Sequence, residues 1–472
     1  MRLRMAAVCA LGVALCFVPA LARQAATPKP PTLTVDKLWP KPLPNHWVYG
    51  SITGLAVDSR DHVFAATRPA SVAAGNEAGL MSNPVTAEHC CLAAPPILEF
   101  DAAGALVASW GGPGQGYDWP ISTGGIAVDA QGNLWITAAG VPEPAAAAAG
   151  ATGVVPGANR GGGAGAAAAG TGGAAGAPAV ARGGAASGGG RGETVVAGAE
   201  GAAVAAARGT AAAAGAATNA PGDAHLLKFS RDGKFLQQLG KPGDTGTKDS
   251  QTQFDKPADI AIDGGELYVA DGGEHQRVIV LDAATGKFKR QWRGHGAEFQ
   301  RISSIAVSKD GFVYVGDRKA NKLQVFKKDG AFVRELSVAP GTLMNGSVWD
   351  VNVSSDAKQE FLFIADGQNS TVRVYSRADL APLGTIGDGG RWPGRFYAVN
   401  NVAMDSKGNL FTGEGYEGKR VQRWAKALTA IAYAPVTSGD MVMAPKFEVD
   451  PDFPKVLPKH WVTGMSVGVA VD

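Results

Sequence analysis

Residues 302–336 read ISSIAVSKDGFVYVGDRKANKLQVFKKDGAFVREL. The stretch holds four short apolar runs, at 305–307, 312–315, 323–326 and 332–336, with Lys309-Asp310-Gly311 and Lys328-Asp329-Gly330 among the breaks between them. β-Branched and aromatic residues fill the runs, and Asp-Gly between alternating apolar runs is a hairpin signal. The stretch therefore predicts a four-stranded antiparallel meander of about 40 residues, the size of one propeller blade.

The unit recurs. Aligned on its second strand, VYVGD at 313–317, the chain yields LYVAD at 267–271, LFIAD at 362–366 and LFTGE at 410–414, with weaker copies LWITA at 134–138 and VFAAT at 63–67. Third and fourth strands recur in ILEFDAAGALVASW from Ile97, LLKFSRDGKFLQQL from Leu226 and VIVLDAATGKFKRQW from Val278. Similar Gly- and Pro-containing loops at 111–114, 240–243 and 390–394 separate the units. Six copies in register predict an all-β, six-bladed propeller of four-stranded antiparallel blades.

Outward from the repeats, residues 1–22 carry Arg2 and Arg4, an apolar run and Ala20-Leu21-Ala22. This is the pattern of a cleaved secretory signal peptide, and the run is too short to span a bilayer. A secreted or periplasmic, soluble product is expected, with residues 23–33 as a flexible leader and 34–446 as the propeller. The formal charge of the whole chain is +2, and two arginines belong to the signal, so the remainder lies near 2 − 2 = 0. A near-neutral chain without a basic stripe is poorly suited to nucleic acid. No later segment is apolar enough for a membrane span.

Two segments interrupt the pattern. Residues 140–221 are almost wholly Ala and Gly and fall between the second and third strands of the second blade. Their glycine content and lack of periodicity predict a disordered, low-complexity loop. Residues 449–472, VDPDFPKVLPKHWVTGMSVGVAVD, repeat residues 35–58, VDKLWPKPLPNHWVYGSITGLAVD, at 14 of 24 positions without a gap. Within 447–472 the copy reads either as the start of a second propeller or as an extra strand near the ring closure. Propellers commonly close with an outer strand from the opposite terminus, and residues 33–36 are placed to serve the last blade.

Cys90 and Cys91 are the cysteines outside the signal. His89-Cys90-Cys91 reads as a vicinal disulfide or inert thiols, or as a metal or redox site.

The second-strand motif, with VYVGDRKANKLQVF at 313–326 and LFIADGQNSTVRVY at 362–375, resembles the NHL-repeat six-bladed propellers. Across 34–424, apart from the insert, the chain more closely resembles secreted bacterial relatives of peptidyl-α-hydroxyglycine α-amidating lyase. That resemblance implies a site at one mouth of the central channel. The residues entering the innermost strands are Thr53, Gly124, Ala258, Ser303, Trp349 and Asn400. Three of these registers hold zinc-binding histidines in the lyases; here they are Gly124, Ser303 and Asn400. Glycine has no side chain, and serine and asparagine are poor zinc donors. No cofactor is expected, with zinc or calcium the ions the resemblance would imply. His46 and His460 in the repeated motif, and His62, His225 and His295, are scattered and read as structural or surface residues.

Arg68 and Arg318 match substrate-binding arginines of the lyases and follow the second strands of blades 1 and 4. Two guanidinium groups facing one pocket suit a carboxylate, unless each pairs with a neighbouring acid such as Asp61 or Asp317. The lyase catalytic tyrosine falls at Gly273, while Tyr416 holds the same register in blade 6. Trp349 either plugs the mouth or stacks on a ligand. The acidic residues Asp271, Asp317, Asp366 and Glu414 recur too regularly to be a catalytic pair and read as caps of backbone N–H groups. Together these readings imply a binding module for a small carboxylate or a peptide, with Arg68, Arg318, Trp349, Asn400 and Ser303 as ligand contacts. The alternatives are a divergent lyase using Tyr416 and a truncated tandem propeller.

Overall fold

The computed structural model describes residues 28–140 and 222–426. The expected signal peptide, residues 23–27 of the leader, the Ala/Gly segment 141–221 and the repeat at 447–472 lie outside the described residues.

Six four-stranded antiparallel sheets form the ring, with a two-stranded parallel ladder between Trp47–Val48 and Leu92–Ala93 beside blade 1. Blade 4 is built from Ile302–Val307, Phe312–Asp317, Lys322–Lys327 and Phe332–Ser337, each strand one to three residues longer than its apolar run. Apart from Ile302 and Gly316, the extra residues are polar. They join because backbone pairing continues past the apolar positions into the turns, where Gly311 and Gly330 take φ of 88° and 90°.

Second strands are the most legible part of the sequence for a physical reason. Leu267, Tyr268, Val269 and Ala270 are all fully buried, as are Leu362, Phe363, Ile364 and Ala365. Both faces of a blade pack on neighbouring blades, so these strands are apolar throughout rather than alternating. Six separate core clusters result, one in each gap between adjacent blades. Outermost strands, such as Phe332–Ser337, alternate between half-buried and exposed residues, since successive side chains point to opposite faces of the blade.

The last blade is completed from the other end of the chain. Val399–Met404, Leu410–Glu414 and Val421–Ala425 supply three strands, and Thr34–Asp36 pairs antiparallel with the third. Asp36 forms an ion pair with Arg423, and Trp39 packs against Phe100 of blade 1 and Phe411 of blade 6. In blade 2, the strands Leu134–Ala138 and His225–Phe229 pair directly although the Ala/Gly segment lies between them. At its base Asp223 N–H donates to Gly140 O (2.9 Å), and the Asp223 carboxylate accepts from the N–H groups of Gly140, Ile121 and Ser122. The blade is thus closed independently of what the loop contains.

Among the described residues no helix is long and apolar enough to cross a membrane.

Candidate functional site at the channel mouth

Five of the six innermost strands enter with an irregularity at the same register. Pairing with the second strand skips Thr53, Ala258, Ser303 and Asn400, and in blade 2 skips both Gly124 and Gly125. In blade 5 the strand begins immediately after Trp349. A bulge leaves one residue unpaired and re-aims its side chain. Five of the six positions aligned in the sequence are therefore ones the backbone turns aside at one end of the ring.

Most of the small polar side chains there are occupied in joining blades. Thr53 and Thr123 share a hydroxyl hydrogen bond of 2.6 Å. Ser303 Oγ–H donates to Val348 O at 2.7 Å, and Asn400 Nδ2–H donates to Ile52 O at 3.1 Å. Gly124 leaves space that a Cβ would fill, only 2.3 Å from Thr137 Oγ1. This set is a belt of inter-blade hydrogen bonds and does not fit zinc. Among the described residues, no group of three or more His, Cys, Asp or Glu side chains is arranged to hold a metal ion.

Arg318, Trp349 and Tyr416 form a cluster. The Arg318 guanidinium stacks 3.4 Å above the Trp349 ring, and its Nε–H donates to Asn345 O at 2.8 Å. Tyr416 meets Trp349 edge-on, with ring centroids 6.1 Å apart, and accepts a hydrogen bond from Arg318. Trp349 is held by its own Nε1–H bond to Gly346 O (2.7 Å), over Gly367, where a Cβ would lie 2.4 Å from the ring. The tryptophan is 5% exposed and is a buried floor under the guanidinium.

Arg318 itself is 8% exposed and has no carboxylate partner among the described residues. Burial first, and the neighbouring positive charge of Arg301 second, pull its pKa down to about 9. A desolvated cation beside another cation is costly unless an anion compensates it. Of the acids the sequence offered as partners for the two arginines, Asp317 accepts from the N–H groups of Gln300 and Arg301, and Asp61 accepts from Ser406.

Arg68 is half-buried at the end of Val63–Arg68, and no side-chain partner engages it among the described residues. Its strand partner Ser51 donates its hydroxyl to Tyr416 O at 3.2 Å. Tyr416 therefore touches the wall carrying Arg68 with its backbone and the Arg318 cluster with its ring. It is 53% exposed and sits in a turn at φ 47°.

The recurring acids cap backbone, mainly of the loop arriving from the preceding blade rather than of their own turn. Asp271 accepts from Asp255 N–H, and Glu414 from Tyr397 N–H. Each also binds an arginine of its own blade: Arg277 for Asp271 and Arg420 for Glu414. Cys90 and Cys91 lie with their sulfur atoms against one another in the loop joining the second and third strands of blade 1. Glu77 of that loop forms an ion pair with Lys419, next to the turn carrying Tyr416.

Two residues missed by the sequence reading lie below the mouth. Asp259 and Asp350 follow directly on Ala258 and Trp349 and line a cavity of about 260 Å³ in the bore. Asp259 accepts from Ile305 N–H and Asp350 from Val402 N–H, each at 2.8 Å, so each ties its strand to the next blade. Burial raises both pKa values, that of Asp350 to about 7, and the Asp350 charge raises Asp259 further. The available signal was an acid within an apolar strand, where other blades carry Gly54, Gly125, Ser304 and Asn401.

Comparison with known proteins agrees with the repeat. Residues 254–281 match the NHL repeat. The chain is similar to NHL repeat-containing protein 3 of mouse, 31% identical over 177 residues, and of human, 30% identical over 177 residues. Each match covers 34% of this chain and 46% of the relative, so the match spans about half the length of these curated relatives. Among solved structures, a streptogramin B lyase is similar at 10% identity and a TM-score of 0.42, covering 83% of this chain and 97% of that one. The chain is thus a six-bladed β-propeller carrying an NHL repeat.

Proposed function

We propose that this propeller is an exported binding module whose mouth takes a carboxylate-bearing small molecule or peptide. The observation that carries the reading is Arg318: a guanidinium stacked on Trp349, buried, beside Arg301, and without an acidic partner among the described residues. A carboxylate would supply the missing charge and accept the free N–H groups of the planar fork. Arg68 on the facing wall and Tyr416 between them would complete the contacts, with Ser303 and Asn400 shaping the floor. On this reading no metal takes part.

The test is calorimetric titration with N-acetylated peptides bearing either a free or an amidated C-terminus, and with small carboxylates. Binding of the carboxylate forms is expected, with Arg318→Gln weakening it about 10- to 100-fold, the range of a lost charge-assisted hydrogen bond. Equal binding of acid and amide forms, or no effect of Arg318→Gln, would overturn the assignment.

A second reading rests on the Tyr416–Arg318 contact, since a phenol bonded to a guanidinium is a candidate proton acceptor. In it the chain is a divergent peptidyl-α-hydroxyglycine lyase with Tyr416 in the role that the family gives to the register of Gly273. Glyoxylate release from a peptidyl-α-hydroxyglycine, lost in Tyr416→Phe, would favour the enzyme; no release from folded protein, with or without added zinc, would leave the binding module.

A further inference from the structure

The loop that carries the chain from blade 4 to blade 5, residues 339–346, reads APGTLMNG. Two of its carbonyls hold the mouth cluster: Asn345 O accepts from Arg318 Nε–H, and Gly346 O from Trp349 Nε1–H. The approach is so close that a Cβ at Gly346 would lie 1.7 Å from Arg318 O. The loop is also fixed to both blades. Asn321 of blade 4 donates Nδ2–H to Thr342 O (2.8 Å) and Pro340 O (3.3 Å) and accepts Ser347 N–H on Oδ1. Asn369 of blade 5 donates to Thr342 Oγ1 at 3.0 Å.

What this anchored loop displays is apolar. Leu343 and Met344 are 78% and 84% exposed, the highest values of any large hydrophobic residue among those described, and Tyr416 follows at 53%. Local stability does not account for the pair. Met344 sits at φ 61°, where glycine or asparagine is the less strained choice, and turn positions ordinarily carry such small polar residues. Strain of this kind, held in place by surrounding hydrogen bonds, is a mark of functional segments.

The pair is also close to the guanidinium. Met344 and Leu343 lie one and two residues before Asn345, and consecutive Cα atoms are about 3.8 Å apart, so both Cα atoms lie within roughly 8 Å of that of the residue that grips Arg318. In a peptide, the side chain of the last residue leaves the backbone one bond from the carboxylate carbon. A carboxylate on Arg318 therefore brings that side chain to within a residue's length of the loop. Apolar walls beside a few orienting polar groups are the usual build of a ligand site.

We propose that Leu343 and Met344, with Tyr416, form a subsite that selects a large apolar side chain on the C-terminal residue of the ligand. The mouth then takes peptides or acylated amino acids that end in an apolar residue with a free carboxylate. This rests on the carboxylate reading of Arg318 and adds to it which carboxylates are preferred.

The test is calorimetric titration of the full chain with N-acetyl-alanyl-leucine, N-acetyl-alanyl-serine and the amide of the first. The leucine acid is expected to bind roughly 5- to 30-fold more tightly than the serine acid, as partial burial of a leucine-sized side chain gives. A Leu343→Ser/Met344→Asn double variant should melt at or above the parent, bind the serine acid as the parent does, and lose the preference; Met344→Asn alone should already reduce it. Equal affinity of the two acids, with the amide weaker, would overturn the subsite and leave the role of Arg318 standing. Equal affinity of the leucine acid and its amide would overturn both. A preference that survives in the double variant would place the apolar contact elsewhere and sink the proposal. So would a concentration-dependent dimer in sedimentation that the double variant abolishes, because the pair would then belong to a contact with a second copy.

Discussion

At the scale of single residues, chemistry concentrates on groups whose ordinary partners are missing or unlike. Arg318 is compensated by an aromatic face and a carbonyl rather than a carboxylate, and that makes it the residue on which binding should turn. Trp349→Ala should therefore weaken carboxylate binding as well as stability, whereas Trp349→Phe should keep most of both; paired titration and melting measurements would separate the effects. The bore acids make a pH prediction. Their folded pKa values are raised, so they hold protons that the unfolded chain has released, and their stabilising effect is present below about pH 4 and lost as pH rises towards about 7. Asp350→Asn should be relatively insensitive over that range. Its melting temperature should gain on that of the parent from pH 4.5 to 7.5, and a constant difference would contradict the assignment.

At the scale of elements, the chain reuses one blade and varies its loops. Gly367 is a case where a loop after a second strand must lack a side chain because the Trp349 ring occupies the space. Gly367→Val should lower stability by roughly 1–3 kcal/mol, the usual cost of overpacking, measurable by urea unfolding. Asp223 clasps the base of the long insert by accepting three backbone N–H groups. Asp223→Ala leaves these donors without a partner and should cost about 1–3 kcal/mol; it should also raise amide exchange at residues 121, 122 and 140 above that of the strands. Unchanged exchange at those amides would show that the clasp is dispensable.

At the scale of the molecule, ring closure couples the ends of the chain to the mouth. The latch consists of three paired residues, the Asp36–Arg423 ion pair and Trp39 wedged between Phe100 and Phe411. Trp39→Ala should be among the most damaging single changes, by about 3–5 kcal/mol as for other buried tryptophans, and should loosen blades 1 and 6 together. A loss confined to blade 1 in hydrogen exchange would argue against a closure shared by both.

The sequence by itself determined the number of blades, the order of strands and the mouth register. Those follow from local rules repeated six times: apolar second strands such as LYVAD at 267–271 and VYVGD at 313–317, Asp-Gly turns, and backbone pairing between neighbours along the chain. The positions Thr53, Gly124, Ala258, Ser303, Trp349 and Asn400 were legible for the same reason, because a register is a local property. Partnership was not. That Arg318 lies on Trp349 and reaches Tyr416, that Asp61 serves Ser406 across the seam, and that Asp259 and Asp350 share one cavity depend on how blades far apart in the chain are brought round a common axis. Spacing along a strand decides which way a side chain points. Only closing the ring decides what it meets.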